Sequence, residues 1–301
     1  MSKPKWSANA FARRVQMGEH DIWVIVEGRD HDRPHYDKLL KKLPTTRRLK
    51  VQVRLAEQID LRGTSAGGKQ HALAIHDHLE ARDDLVQVNR DRTARIVFML
   101  DRDRDDFSGS MSSSPHVMYT VGTDVEADIL LNSEVWSAVR AAYGIDTRLA
   151  KRVKRRVPDP AQSLLSLWAD WLRLGLTALD CGSPGCAPWS QLSRVNSPDF
   201  GPVDTASVHG VEKAIQAASP SDYAAANERA ARHVASRAEL LLKGRWIARY
   251  IKFLVGAHLA GEFVRSVHSD VVIDTALARL KYSGALVSEY DSRFAALIAK
   301  T

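Results

Sequence analysis

The stretch IVFMLDRDRDDF, residues 96–107, sets an apolar run directly against a group of carboxylates. Five consecutive apolar residues end at Leu100 and are followed at once by Asp101 and Asp103. A short apolar run bounded in this way is typical of a strand buried on both faces of a parallel sheet. The two acids would then lie at the carboxyl end of that strand, the edge where open α/β sheets bind their ligands.

The chain on either side alternates between strand and helix patterns. Strand patterns occur in DIWVIVEG (21–28), LKVQVRLA (49–56) and the start of VMYTVGTDVEADILL (117–131), and helix patterns occur in HYDKLLKKL (35–43) and GGKQHALAIHDHLEARDD (67–84). Strands that alternate with helices imply a parallel sheet with right-handed crossovers. After residue 131 helical periodicity prevails. The sequence therefore predicts an α/β domain over 1–131 and a mainly helical domain over 132–301.

The composition is that of a soluble globular protein, with 45% hydrophobic residues and a formal charge of +7. No apolar run approaches the roughly 18 residues of a membrane-spanning helix, and the basic start does not fit a signal peptide, so we expect neither. Cys181 and Cys186 have no second pair to complete a zinc site, and so few cysteines indicate a reducing, cytoplasmic location. The positive charge favours a polyanionic partner, nucleic acid before membrane.

Acidic side chains follow three of the predicted strands. They are Glu27 after the first strand, Asp101 and Asp103 after the third, and Asp124, Glu126 and Asp128 after the fourth. Carboxylates that converge at one edge repel each other unless a cation neutralises them. Mg²⁺ and Mn²⁺ prefer such oxygen ligands, and these ions can activate water to attack a phosphodiester. The alternative, that acids cap helices and face water, explains one cluster more readily than all three.

Four short motifs carry a resemblance to a known family. They are VIVEG (24–28), GGK (67–69), LDRD (100–103) and TDVEADILL (123–131). In this order they resemble the Toprim domain of topoisomerases, bacterial primases and OLD-type nucleases. They are most similar to the Toprim-like nucleases often encoded beside ABC-type ATPases in phage-defence loci. The resemblance covers residues 20–131 and implies a Toprim-like sheet flanked by helices.

The resemblance also implies an activity: metal-dependent hydrolysis of DNA or RNA by the effector of an anti-phage system. Glu27 would act as a metal ligand or proton-transfer residue, and Asp101 and Asp103 would hold Mg²⁺ or Mn²⁺. Asp124 or Glu126 would complete the set. Nucleic acid and a separate ABC-type ATPase are the implied partners, and association with further copies of the chain stays open.

One departure from the family pattern follows the VEG motif. The family has an acid four residues after its Glu and an aromatic residue four further on, but here those positions hold His31 and His35. Asp32 and Tyr36 lie one place later. Either the turn is one residue longer in this chain, or Asp30 and Asp32 share the role.

Three basic elements are candidates for contacts with phosphate. The first is Lys69 in the glycine turn, and the second is the basic run RLAKRVKRRV (148–157) on a predicted helix, with Lys151, Arg152, Lys154, Arg155 and Arg156. In the third, LLKGRWIARYIKFL (241–254), the resemblance suggests that Lys243 stabilises phosphoryl charge. Each has a plain alternative: a structural turn, a solvated helix face, or a packed helix with its charges outside.

Other functional patterns fit less well. GTSAGGKQ (63–70) is close to a P-loop, but Gln70 cannot supply the hydroxyl that places magnesium. LDRDRDD resembles the DxD motif of haloacid-dehalogenase phosphatases, but Asp105 stands where those enzymes need Thr or Val. No catalytic triad or HExxH motif stands out, so the histidines are predicted to be structural or on the surface. The main alternative to a nuclease is a non-catalytic Toprim-like module that binds nucleic acid or a partner protein.

Overall fold

In the part of the chain that the structure describes, the central sheet has five strands, of which four are parallel. The strands of the chain are β1 (Trp6–Ser7), β2 (Ile22–Val26), β3 (Val51–Leu55), β4 (Ile59–Asp60), β5 (Val86–Asn89), β6 (Arg92–Leu100) and β7 (Val117–Tyr119). The sheet order is β3–β2–β6–β5, and β7 also pairs with β6. β2, β3, β6 and β7 run parallel, while β5 is antiparallel to β6. β1 and β4 form a separate parallel pair.

The predicted α/β sheet is therefore confirmed, but the prediction that all of its strands are parallel is wrong. β5, which the sequence did not predict, runs antiparallel to β6. Asn89 pairs with Arg92, so only two residues join β5 to β6. A connection of that length permits a hairpin but no parallel crossover.

The computed structural model describes residues 5–28, 30–61, 67–90, 92–189, 200, 203–262 and 265–299. The chain divides into two compact units. A sheet unit consists of Met1–Arg102, Ser112–Asn132 and Leu280–Thr301, and a helical unit consists of Asp103–Met111 and Ser133–Arg279. The predicted boundary at residue 131 lies next to one of these junctions. Two segments lie in the unit that the sequence did not predict for them: Asp103–Met111 belongs to the helical unit, and Leu280–Thr301 belongs to the sheet unit.

Among its described residues, the sheet unit has the α-helices α1 (Ala8–Met17), α2 (Asp32–Leu39), α3 (Gly68–Glu80), α5 (Val125–Leu131) and α13 (Gly284–Ala299). Every residue of β2 is buried, which explains its unbroken apolar sequence. On one face of the sheet, Trp23 and Phe98 pack in a core with Phe11 of α1 and Ile75 of α3. The alternate residues on the other face, such as Val24 of β2 and Val97 of β6, are also buried.

The helical unit contains α4 (Asp105–Ser108), α6 (Val135–Tyr143), α7 (Thr147–Arg156), α8 (Pro160–Asp180), α9 (Thr205–Ala218), α10 (Tyr223–Arg237), α11 (Gly244–His258) and α12 (Ser269–Arg279). Its described residues form no strand, in agreement with the predicted helical region. α8 begins at a proline, and the side chain of Asp159 caps it by accepting from the backbone N–H of Gln162. Among the residues the structure describes, no helix is both long and apolar enough to cross a membrane.

The carboxylate of Asp128 joins α5 to the C-terminal helix α13. It accepts hydrogen bonds from the backbone N–H groups of Val121 and Gly122 and, at 2.8 Å, from the hydroxyl of Tyr290. Burial raises the pKa of Asp128, while these donors act in the opposite direction. Asp128 therefore has a structural role, because its oxygens hold the turn after β7 and the returning helix.

We expect Tyr290→Phe to destabilise the sheet unit by about 1.5–3 kcal/mol, because a buried carboxylate loses a charge-assisted hydrogen bond. Amide hydrogen exchange in α5 and α13 under native conditions measures the loss. Tyr282→Phe is the control, since that hydroxyl is partly exposed and donates to the backbone oxygen of His35 at 3.2 Å. Equal effects of the two variants would contradict the structural role of Asp128.

Candidate functional site

Strand register brings two of the predicted acids to one edge of the sheet. Val26, the last residue of β2, pairs with Met99 of β6. Glu27 and Asp101 therefore emerge at the carboxyl ends of neighbouring parallel strands, which are about 4.8 Å apart. Both side chains are partly exposed, and each has one buried oxygen, Oε2 of Glu27 and Oδ1 of Asp101.

The loop after β2 carries a further carboxylate. Asp32, the first residue of α2, accepts a hydrogen bond of 2.7 Å from the backbone N–H of Gly28. Burial raises the pKa of Asp32, the bond from Gly28 lowers it, and the nearby carboxylate of Glu126 raises it again. Asp32 lies one place later than the acid of the family pattern, and Asp30 precedes it on the same loop. Both alternatives from the sequence, a turn that is one residue longer or a role shared by Asp30 and Asp32, therefore stay open.

Glu126 reaches the same loop through a histidine. Its Oε1 lies 3.1 Å from Nδ1 of His31, which immediately precedes α2. The two side chains are only 12% and 4% exposed. No local sequence pattern indicates this contact, because the two residues are 95 positions apart.

Asp124 caps a helix, which is the alternative to metal binding that the sequence left open for the acids after the strands. It is buried at the N-terminus of α5, and its Oδ1 accepts a hydrogen bond of 2.8 Å from the backbone N–H of Ala127. Such a cap satisfies one of the free N–H groups at the start of the helix. Of the two acids predicted to complete the metal site, Asp124 is thus engaged with its own helix, whereas Glu126 reaches toward α2.

The DRD motif divides between the two units after Arg102. Asp101 belongs to the sheet unit and Asp103 to the helical unit, where Asp103 Oδ1 lies 3.0 Å from the ammonium of Lys243. Asp103 has a φ of +49°, a left-handed conformation that is uncommon for residues other than glycine. Two residues predicted from the sequence to be catalytic, Asp103 and Lys243, therefore form an ion pair inside the helical unit.

Further contacts hold the segment that follows Asp103 within the helical unit. The guanidinium of Arg104 lies over the ring of Trp189, 5.1 Å from its centroid. The largely buried carboxylate of Asp106 faces Arg237 at 3.5 Å and His233 at 3.8 Å. Asp106 thus helps to anchor this segment.

Lys69 lies in the first turn of α3, directly after two glycines. Gly67 and Gly68 have φ values of +97° and +75°, so the chain needs glycine at both positions to enter the helix as it does. Residues 63–66 of the P-loop-like sequence lie outside the described residues. The function of Lys69 as a phosphate ligand stays a prediction.

The basic run forms α7, whose two faces differ sharply. Leu149, Ala150 and Val153 are buried. The exposed face carries Arg148, Lys151, Arg152, Lys154, Arg155 and Arg156. Glu262 pairs with Arg152 at 3.0 Å. The helix thus presents a concentrated positive charge on its outward side.

A second group of possible metal ligands lies on α3. Ligand atoms of His76, Asp77 and Glu80 lie within 4.8 Å of one another. The buried His76 ring is already hydrogen-bonded, through Nδ1 to Asp77 and through Nε2 to Ser114, both at 2.9 Å. Asp77 and Glu80 are exposed. The i, i+4 spacing of His76 and Glu80 was the sequence signal for this group, but the contacts also suit an ordinary helix surface.

No protein-family model matches the sequence, and no curated protein matches it. The Toprim resemblance therefore depends on the four motifs, three of which carry acids that follow the strands β2, β6 and β7. Those positions are the reason to test the edge of the sheet first.

We expect Gly28→Ala to disturb this edge, because a Cβ at position 28 would lie 2.8 Å from Oδ1 of Asp32. Displacement of Asp32 should cost about 1–3 kcal/mol of stability, measured by urea denaturation. Gly256→Ala in α11 is the control, since a Cβ there meets open space and should stabilise by up to about 1 kcal/mol. A Gly28→Ala variant as stable as the wild type would show that Asp32 moves aside freely.

Proposed function

We propose that this protein is a metal-dependent nuclease of the Toprim type that hydrolyses phosphodiester bonds in DNA or RNA. The observation that carries the proposal is the register of β2 and β6, which sets Glu27 and Asp101 at neighbouring strand ends. Asp32 and Glu126 lie on or against the loop that follows Glu27. The carboxyl edge of one parallel sheet thus gathers acids that otherwise repel each other.

The donor chemistry of this edge fits Mg²⁺ or Mn²⁺. All of its candidate ligands are carboxylates, the hard oxygen donors that these ions prefer. Glu27 and Asp101 would hold the ion with Glu126 or Asp124, and Asp103 is the further ligand expected from the motif. A bound ion would supply Lewis-acid stabilisation of the phosphoryl oxygens and would acidify a water molecule.

The residues of the chain have distinct parts in this reaction. Glu27, whose carboxylate is partly buried, would accept the proton of the attacking water or bind the ion. Lys243 would stabilise negative charge on the phosphoryl group. Its ammonium is paired with Asp103, so this role requires that a phosphoryl oxygen replace the carboxylate. Lys69 would bind a phosphate of the substrate.

The exposed face of α7 would hold the nucleic acid. Contacts from Lys and Arg to phosphates are independent of sequence and release counterions. Five residues on this helix would make them: Lys151, Arg152, Lys154, Arg155 and Arg156. The basic face thereby accounts for binding of either DNA or RNA.

The biological setting follows from the resemblance alone. It implies a cytoplasmic effector of an anti-phage defence system that acts with a separate ABC-type ATPase. The sequence holds no complete P-loop, so ATP hydrolysis would belong to that partner.

A non-catalytic module that binds nucleic acid or a partner protein is the second candidate. Two observations favour it: Asp103 is tied to Lys243, and Asp124 is engaged as a helix cap. In this case α7 would still bind a polyanion, but the acidic edge would bind no ion.

We expect the wild type to cut labelled plasmid DNA or total tRNA with Mg²⁺ or Mn²⁺. Glu27→Gln and Asp101→Asn should each reduce the rate by about 100-fold or more, because each removes a charge from the metal site. Asp37→Asn is the control, because it removes a half-exposed carboxylate from α2 of the same unit, where that carboxylate pairs with Arg33. Full activity of Glu27→Gln would contradict the proposal, and loss in Asp77→Asn instead would place the metal on α3. Binding of nucleic acid without cleavage in any condition would favour the second candidate.

We expect Lys151→Ala/Arg155→Ala to weaken nucleic-acid binding about tenfold or more and to reduce the slope of log K against log salt by about two. Fluorescence anisotropy at several salt concentrations measures both quantities. Lys41→Ala/Lys42→Ala removes the same charge from another exposed surface. If both double variants lose affinity equally, general electrostatic attraction explains binding and α7 has no special role.

A further inference from the structure

The pair formed by His31 and Glu126 links two elements at the acidic edge. His31 directly precedes α2, and Glu126 lies in the first turn of α5. Both side chains are nearly buried, and Nδ1 of His31 lies 3.1 Å from Oε1 of Glu126. A backbone hydrogen bond from the N–H of His35 to the oxygen of His31 holds the histidine in place. The contact is thus built into the fold.

We infer that His31 is a positioning residue that fixes the carboxylate of Glu126 as an oxygen ligand of the divalent cation. This inference rests on the proposed function, and it selects Glu126 where the sequence left Asp124 and Glu126 as alternatives. An oxygen of Asp124 accepts a hydrogen bond from the backbone N–H of Ala127 in its own helix, whereas an oxygen of Glu126 contacts His31 at the start of α2.

The chemistry of the pair suits that role. Nδ1–H donates to Oε1 of Glu126, so one carboxylate oxygen is anchored and the orientation of the other is set. A glutamate side chain has three rotatable bonds, and ordering them in advance removes part of the entropic cost of binding an ion.

The surroundings explain why an anchor is required. Asp32 lies close enough to Glu126 for the two carboxylates to raise the free energy of their charged forms. The hydrogen bond from His31 holds Glu126 in place against this repulsion, and the hydrogen bond from the backbone N–H of Gly28 holds Asp32.

The test uses three substitutions that differ in where they place a donor. His31→Asn sets an amide N–H near the position of Nδ1, His31→Gln sets one near Nε2, and His31→Leu has none. Binding of Mn²⁺ to the full chain, followed by electron paramagnetic resonance at constant pH, gives a readout independent of cleavage. His31→Leu and His31→Gln should weaken binding about 10- to 100-fold, the range for lost partners of metal ligands, and His31→Asn should restore most of it.

A double variant shows whether His31 acts through Glu126. Glu126→Gln should weaken Mn²⁺ binding, and adding His31→Gln to it should have little further effect. Equal, additive losses would overturn the inference, as would wild-type binding by His31→Leu and His31→Gln. Loss of binding in Asp124→Asn with binding retained in Glu126→Gln would also overturn it. Asparagine caps a helix about as well as aspartate, so that variant should fold.

The outcomes separate this inference from the proposed function. If Glu27→Gln abolishes Mn²⁺ binding and the His31 variants bind normally, the metal site stands and His31 has no part in it. If the wild type binds no Mn²⁺, both fail. Circular dichroism of each variant establishes folding. Even if His31→Leu does not fold, the comparison of His31→Asn with His31→Gln shows whether Mn²⁺ binding needs a donor at the position of Nδ1.

Discussion

The pairing of β2 with residues 96–99 of β6, where both strands are buried on their two faces, is the constraint on which the sheet unit depends. A strand segment of this kind cannot carry a charged side chain, because burial of an unpaired charge is costly. Arg92 and Arg95 accordingly lie in the half-buried first part of β6. The acids of these two strands can therefore occur only where the strands end. Parallel pairing in the observed register then brings those ends together, and Glu27 and Asp101 emerge side by side. Burial and register thus explain the acidic edge without any reference to a catalytic role.

The acids near this edge differ in what their oxygens bind. Asp128 and Asp124 accept hydrogen bonds from backbone N–H groups of their own surroundings, and both stabilise the region around α5. Asp32 accepts a hydrogen bond from the backbone N–H of Gly28 and also lies near the carboxylate of Glu126. Glu126 is fixed by a side chain, that of His31.

The helical unit combines anchoring contacts with a basic surface. Its own contacts hold the segment after Asp101, through Asp103 with Lys243 and Arg104 with Trp189. On α7 the buried apolar residues orient the helix, so that its cations are left to the exterior. The same amphipathic pattern that packs the helix thereby creates the charged face.

Local patterns in the sequence determined the buried strands, the acids that follow them and the amphipathic helices. Periodicity and burial act over a few residues, so a single chain displays them directly. Only the tertiary structure decided which side chain contacts each acid. Tyr290 donates to Asp128 across 162 residues of sequence, and His31 contacts Glu126 across 95. The tertiary structure also decided that α13 returns to the sheet unit and that the DRD motif divides after Arg102. Such contacts depend on how distant elements pack, and no local period encodes the partner of a polar side chain.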